Sequence, residues 1–340
     1  MRVAMYYNNR DIRIEDMPVP EIKDSEILLK VMASGICGSD VMEWYRVKKA
    51  PLVLGHEVAG VIQKTGKKVK KFRKGDKIFV THHVPCEKCE HCKEGNENVC
   101  ATLKTTSFHP GGFSEYVRVP EINVKKGTIR LPKGMSYDEA TFIEPLGCVA
   151  RGQKIMGIKK NHLVVVLGSG ISGLLHIQLA KAKGAKVIAT DVNTFRLNVA
   201  KKLGADYTIN AKENVPEKIR TVAGKLADRV IVSTGAIPAI IQAFEAVGPG
   251  GRILFFAPTE PNTKIPMPFN DFWFKGAAIT TTYAAAPRDL VEAINLIKTK
   301  KIKVKPMITH RLPLEQTQKG FGLVLEGKES VKVVIEPWKR

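Results

Sequence analysis

The chain has 340 residues, 44% of them hydrophobic, with 54 lysines and arginines against 33 aspartates and glutamates, a formal net charge of +21. At roughly 150 residues per domain this makes about two domains, with cores that need no disulfide staples, and the ordinary apolar fraction excludes a disordered chain. Segment 1–16 mixes charged and apolar residues with no apolar core before a small-residue cleavage site, and the longest apolar run, around 163–175, is broken by three glycines, so neither a signal peptide nor a membrane span is expected and the protein should stay in the cytoplasm.

From residue 1 to about 124 the hydrophobic segments are short: VAMYY, EILLKVMAS, VAGVIQK, KIFVTHHV and FSEYVRV, each bounded by Gly, Pro or charged turns. That texture predicts a small irregular β domain. After Asn161, strand and helix alternate. Strands are expected at 162–167, 187–190, 207–209, 229–233, 252–257 and 278–282, with helices running to 183, after 190 and from about 238. This spacing predicts right-handed βαβ units and a parallel sheet. An amphipathic stretch at 288–300 leads to ITHRLPLEQ, a second short helix and a closing strand at 331–335.

The lysines fall in scattered pairs with no aromatic-interleaved stripe, so they are expected to form a solvated surface, with no nucleic-acid or membrane partner. A basic zinc-binding nucleic-acid protein is the alternative from another class. It predicts salt-dependent DNA or RNA binding and leaves the glycine turn described below unexplained.

Cys86, Cys89, Cys92 and Cys100 form C-x2-C-x2-C-x7-C. Four thiolates can close a tetrahedral shell on Zn2+ with no open position, which makes a structural site; an iron–sulfur cluster is the chemical rival. A second set is Cys37, in Gly-Ile-Cys-Gly-Ser-Asp, and His56, followed by Glu57 in Gly-His-Glu-Val-Ala-Gly. Thiolate, imidazole and carboxylate supply three protein ligands and leave a fourth position for water or substrate.

Residues 163–173 read as a strand, a G-x-G-x-x-G turn (Gly168, Gly170, Gly173) and a helix starting at Ile171. The glycines allow a tight turn and close approach of a pyrophosphate to the helix N-terminus. Asp191 closes the next strand eighteen residues past Gly173, where a carboxylate accepts the ribose hydroxyls and favours NAD over NADP. Arg196, five residues on, blurs that preference.

GICGSD, GHEVAG with Gly66 beyond it, the four-cysteine lobe, GGFSEYV, FIEPLG and the glycine turn together resemble the zinc-dependent medium-chain dehydrogenase/reductase family. The similarity is greatest to its polyol (sorbitol) dehydrogenase branch, with threonine dehydrogenases close behind. The resemblance implies an α/β chain in which a GroES-like β-barrel (1–148 and 286–340) surrounds an inserted Rossmann domain (149–285). It implies a catalytic zinc on Cys37, His56 and a third ligand, Glu144 in the I-E-P-L context, with Glu57 as an exchangeable or supporting carboxylate. Ser39 would take the proton of the alcohol, and Asp191 with Arg196 would flank an NAD ribose.

The reaction so implied is oxidation of a secondary alcohol of a polyol, cyclitol or sugar acid by NAD+, in a homodimer or homotetramer. L-threonine 3-dehydrogenase is the alternative within the class. Many relatives place a relay histidine five residues after the metal cysteine, where this chain has Met42; that leaves Glu43 or solvent to continue the proton path.

Overall fold

The computed structural model describes residues 1–339. The chain divides into two compact units, one formed by Met1–Gly147, Ala284–Lys298 and the residues from Val304 onward, the other by Cys148–Tyr283 and Thr299–Lys303.

In the first unit the strand Ile27–Gly35 is the organising element, because it is buried along almost its whole length and bonds on both edges. One edge pairs antiparallel with Glu57–Thr65; the other pairs with Tyr116–Val119 at its start and with Lys332–Ile335 at its end. The sheet continues through Lys77–Thr81 to Thr128–Arg130 on one side and to Ile308–Leu312 on the other. Two apolar clusters fill it. Ile27, Leu29, Val31, Ile62, Ile78 and Val117 make one, and the second joins Val3, Tyr6 and Phe113 to Phe321 and Val333 from the tail. The tail completes both the sheet and the core, which is why the chain returns to this unit.

The second unit is a six-stranded parallel sheet in the order Tyr207–Asn210, Lys186–Asp191, Leu163–Leu167, Ala227–Val232, Val247–Phe255, Ala278–Thr281. Numbered by sequence this is 3-2-1-4-5-6, the doubly wound order that binds dinucleotides where the strand order reverses. Leu163–Leu167 is buried at every position, as expected of a parallel strand covered on both faces. The expected α/β class is therefore what the chain folds into.

Two of the longer helices were not anticipated. Val215–Ala223 is started by Asn214, whose side chain accepts the Glu217 N–H at 3.2 Å, and stopped by Gly224 at φ +73°. Ile143–Ile155 carries Pro145 and Gly147, poor helix formers by propensity. Pro145 lies in the first turn, where its missing N–H costs no helical bond.

The helix Ile171–Ala182 buries His176 completely. Gln153 Nε2 donates to His176 O at 2.7 Å, and the imidazole packs edge-on against Phe256 at 4.6 Å. Burial pushes the imidazole down to about 3 from its ordinary 6.5. The unfolded chain takes up this proton near 6.5 and the folded chain does not, so stability is fully present above that pH and falls as the pH drops toward 3. His176→Leu should therefore lose less stability than the wild type between about pH 6.5 and pH 4. Urea unfolding at several pH values measures this, and parallel declines in the two proteins would contradict it.

Candidate active site

Strand register builds the site. Gly35 lies opposite Glu57 in the antiparallel pair, so the turn that leaves the first strand at Cys37 and the residue that enters the second, His56, share one end of the sheet. Val334 of the tail strand also lies opposite Gly35, and Ile36 N–H donates to Val333 O at 3.0 Å, which brings Lys332 to the same corner. The ligand atoms of Cys37, His56 and Glu57 lie within 4.8 Å of one another. Glu144, named by resemblance as third ligand, is buried on the helix Ile143–Ile155 and stands outside this group.

Glu57 Oε2 receives Lys332 Nζ in a salt bridge with both side chains almost wholly inaccessible, and Nζ also donates to Ile36 O at 3.4 Å. Gly35 is required here: a Cβ on it would stand 2.0 Å from Glu57 Oε2 and 2.6 Å from Lys332 Nζ. The other oxygen, Glu57 Oε1, is buried without a hydrogen-bond partner.

Asp40 is fully buried, accepts the Cys37 N–H at 3.0 Å and faces His56 Nδ1 at 3.3 Å. Burial opposes its charge, but His56, Arg46 and the Cys37 N–H hold its carboxyl below the usual range. Burial likewise opposes an imidazolium at His56, yet Asp40 and Cys37 together raise it well above its ordinary value. The carboxylates of Asp40 and Glu57 beside His56 make a pocket that favours a cation. A ring nitrogen of His56, Cys37 Sγ and a carboxylate oxygen of Glu57 make an N, S, O donor set suited to Zn2+.

Two histidines overlooked in the sequence adjoin this group. His82 and His83 follow the strand Lys77–Thr81, and their ring centroids lie 3.8 Å apart, with His82 4.7 Å from His56. Burial pushes His82 well below its ordinary value and His83 down to about 4. Both are neutral neighbours of the donor set. The run THHV at a strand end was the available signal.

Ser39 Oγ and Ser39 N–H each lie 3.5 Å from Cys37 Sγ. Glu43, named with solvent as a way to continue the proton path, accepts the Asn9 N–H at 2.9 Å, on the N-terminal hairpin. Ser39 instead accepts from Arg46.

The Sγ atoms of Cys86, Cys89, Cys92 and Cys100 also lie within 4.8 Å of one another. Backbone N–H groups point at sulfur, from Lys88 and Cys89 to Cys86 and from Cys86 to Cys100, at 3.3–3.4 Å. Burial pushes Cys92 up to about 12, while Cys100, despite burial, is brought to about 6, chiefly by the N–H groups of Cys86 and Leu103. Four thiols so close cannot all ionise on their own. A dication among them removes that conflict, and a closed tetrathiolate shell is the donor set of structural zinc. His91 is exposed beside the cluster.

In the second unit Gly168 turns at φ +91° and Gly173 packs so tightly that a Cβ would meet Gly168 O at 1.9 Å. The helix Ile171–Ala182 starts at Gly170 with no side-chain cap, leaving N–H groups for an anion. Asp191 Oδ2 accepts the Ser169 N–H at 2.8 Å and Oδ1 the Asn193 N–H at 2.9 Å. This places the carboxylate against the turn and leaves it a lone pair per oxygen for ribose hydroxyls. Arg196, at the start of the helix Thr194–Lys202, has a buried Nε with no hydrogen-bond partner.

These are two metal-type donor sets and a dinucleotide turn on one chain, the equipment of a zinc-dependent dehydrogenase. Residues 23–132 match the alcohol dehydrogenase GroES-like domain, and residues 172–299 match the zinc-binding dehydrogenase family. The chain is 34% identical to sorbitol dehydrogenase of Bacillus subtilis, over 99% of this chain and 97% of that one. It is 36% identical to L-threonine 3-dehydrogenase of Bacillus licheniformis, over 95% and 94% respectively. A solved structure described as a short chain alcohol dehydrogenase of Escherichia coli CFT073, complexed with NADH, superposes with a TM-score of 0.88 at 27% identity, covering 99% of both chains. The chain belongs to the zinc-dependent medium-chain dehydrogenase/reductase family, on the side of its polyol dehydrogenases, and is an oxidoreductase.

Proposed function

We propose that the chain transfers a hydride from a secondary alcohol of a polyol, cyclitol or sugar acid to NAD+, with Cys37, His56 and Glu57 holding the catalytic zinc and Cys86, Cys89, Cys92 and Cys100 a structural one. The observation that carries this reading is the Cys37–His56–Glu57 group, half-buried at Cys37 and His56 and buried at Glu57, backed by Asp40 and flanked by the Ser39 hydroxyl. Bound zinc supplies a Lewis acid that makes an alcohol easier to deprotonate, and the nicotinamide takes the hydride.

The protein's own residues do the rest. Asp40 fixes the imidazole of His56, Lys332 offsets the charge of Glu57, and Ser39 receives the alcohol's proton. Glu144, buried on the helix Ile143–Ile155, would be a further carboxylate for that zinc. Gly168, Gly170, Ile171 and Gly173 cradle the pyrophosphate, while Asp191 takes the ribose hydroxyls, with Arg196 beside it. A carboxylate at that place repels a 2′-phosphate, which supports NAD+.

The second unit ends in an unpaired edge strand, Ala278–Thr281, beside the helix Phe269–Phe274, where Phe269, Trp273 and Phe274 are 66–75% exposed. Such an edge and aromatic patch support a homo-oligomer through this face. Trp273→Glu should shift sedimentation toward the 37.5 kDa of one chain; a wild type that already sediments as a single chain would contradict the proposal.

The test of function is a panel of polyols, cyclitols, sugar acids and threonine with NAD+ and NADP+, following reduced nicotinamide and metal content in one preparation. Turnover of one polyol-type group with NAD+ and about two zincs per chain are expected. Turnover of threonine alone would replace the polyol reading with the amino-acid one favoured by the Bacillus licheniformis relative.

A further inference from the structure

Arg46 ends the short helix Glu43–Arg46, and its guanidinium is turned back onto Ser39. Nε donates to Ser39 O at 2.9 Å and Nη2 to Ser39 Oγ at 3.0 Å. The same Nη2 lies 3.6 Å from Asp40 Oδ1, the oxygen that faces His56. The guanidinium packs over the Tyr45 ring at 4.6 Å, and its side chain is only 15% exposed. The two donors grip one residue at both its backbone and its hydroxyl, a bidentate geometry that a lysine ammonium does not reproduce.

We propose that Arg46 is a positioning residue of the proton path, holding the Ser39 hydroxyl so that it accepts the alcohol's proton and releases its own. The inference rests on the dehydrogenase reading above. A serine oxygen has two lone pairs and one hydrogen. Arg46 occupies one lone pair, so the hydrogen must point elsewhere, and in this structure it is directed at Cys37 Sγ. The second lone pair stays available to the alcohol O–H.

In the reaction the hydroxyl turns its hydrogen from Cys37 Sγ toward water, which takes that proton as the alcohol's hydroxyl proton passes to Ser39 Oγ. Ser39 begins and ends as a neutral hydroxyl, and the hydride goes to the nicotinamide. The guanidinium does not deprotonate, so it takes no proton itself; its fixed charge stabilises the oxygen through the exchange. The thioether of Met42 can neither give nor take a proton, and the carboxylate of Glu43 is engaged by Asn9. Arg46 is the charged side chain left on Ser39.

The test compares Arg46→Met, Arg46→Lys and Ser39→Ala with the wild type on the best substrate of the panel. A positioned proton-transfer group contributes roughly 10²–10⁴-fold to rate. Arg46→Met should accordingly lower kcat on the order of tenfold to a hundredfold, with KM changed by less than about threefold. Arg46→Lys should recover part of the loss, and so should millimolar guanidinium added to Arg46→Met. In a Ser39→Ala background Arg46→Met should add almost nothing, since the two act as one unit.

An unchanged kcat in Arg46→Met, or an undiminished further loss in the Ser39→Ala background, would overturn the proposal. A second readout needs no turnover. In the cobalt-substituted protein Arg46→Met should shift the thiolate-to-metal absorption, because Ser39 would leave Cys37 Sγ; an unshifted band would also overturn the proposal. Failure of the wild type on every alcohol would instead defeat the dehydrogenase reading, with the cobalt spectrum still deciding whether Arg46 positions Ser39.

Discussion

Glu57 and Lys332, two opposite charges buried side by side, fix much of what surrounds them. Removing one partner of such a pair leaves an uncompensated charge in the interior and costs about 3–5 kcal/mol. The pair exists only because the tail strand Lys332–Ile335 returns to lie against Ile27–Gly35. It fits only because Gly35 has no side chain. The C-terminal segment is thus part of the site as much as of the sheet, and the excursion into the parallel-sheet unit must end where Lys332 can reach Glu57.

Around that pair the charges are distributed with few to spare. Asp40 serves His56 and Arg46 at once, and Arg46 in turn holds Ser39. Glu57 keeps one oxygen on Lys332 and presents the other, which has no protein partner. A metal dication completes this arrangement because the donors at the pocket are a cysteine sulfur, an imidazole and a carboxylate oxygen. The structural lobe solves a related problem differently: backbone N–H groups point at its sulfurs, and the thiols contact one another.

Much of the site was legible because its chemistry depends on residue types at short spacings. The four cysteines and the glycine turn with Asp191 are readable from their spacing, and Cys37 with His56 from the motifs around them, whereas Glu144 was expected as the third ligand and it is Glu57 that lies with Cys37 and His56. Lys332 and Arg46 were not legible. Lys332 is a single lysine in an otherwise apolar strand, 275 residues from its partner, and only the register of that strand reveals its role. Arg46 sits in a run with Lys48 and Lys49 that reads as solvated surface; the backward turn of the short helix Glu43–Arg46 is a tertiary fact. The parallel strands were visible as continuous apolar runs, whereas the helix Ile143–Ile155 was hidden by a proline and a glycine that its first turns tolerate.

The most direct test of the account is the zinc content of Cys37→Ser beside the wild type. That variant touches only one donor set and leaves the buried ion pair intact. If Cys37, His56 and Glu57 hold a metal together, zinc should fall from about two to about one per chain, with thermal stability largely retained by the tetrathiolate lobe. Two zincs per chain in Cys37→Ser would contradict the assignment of that group as a metal centre.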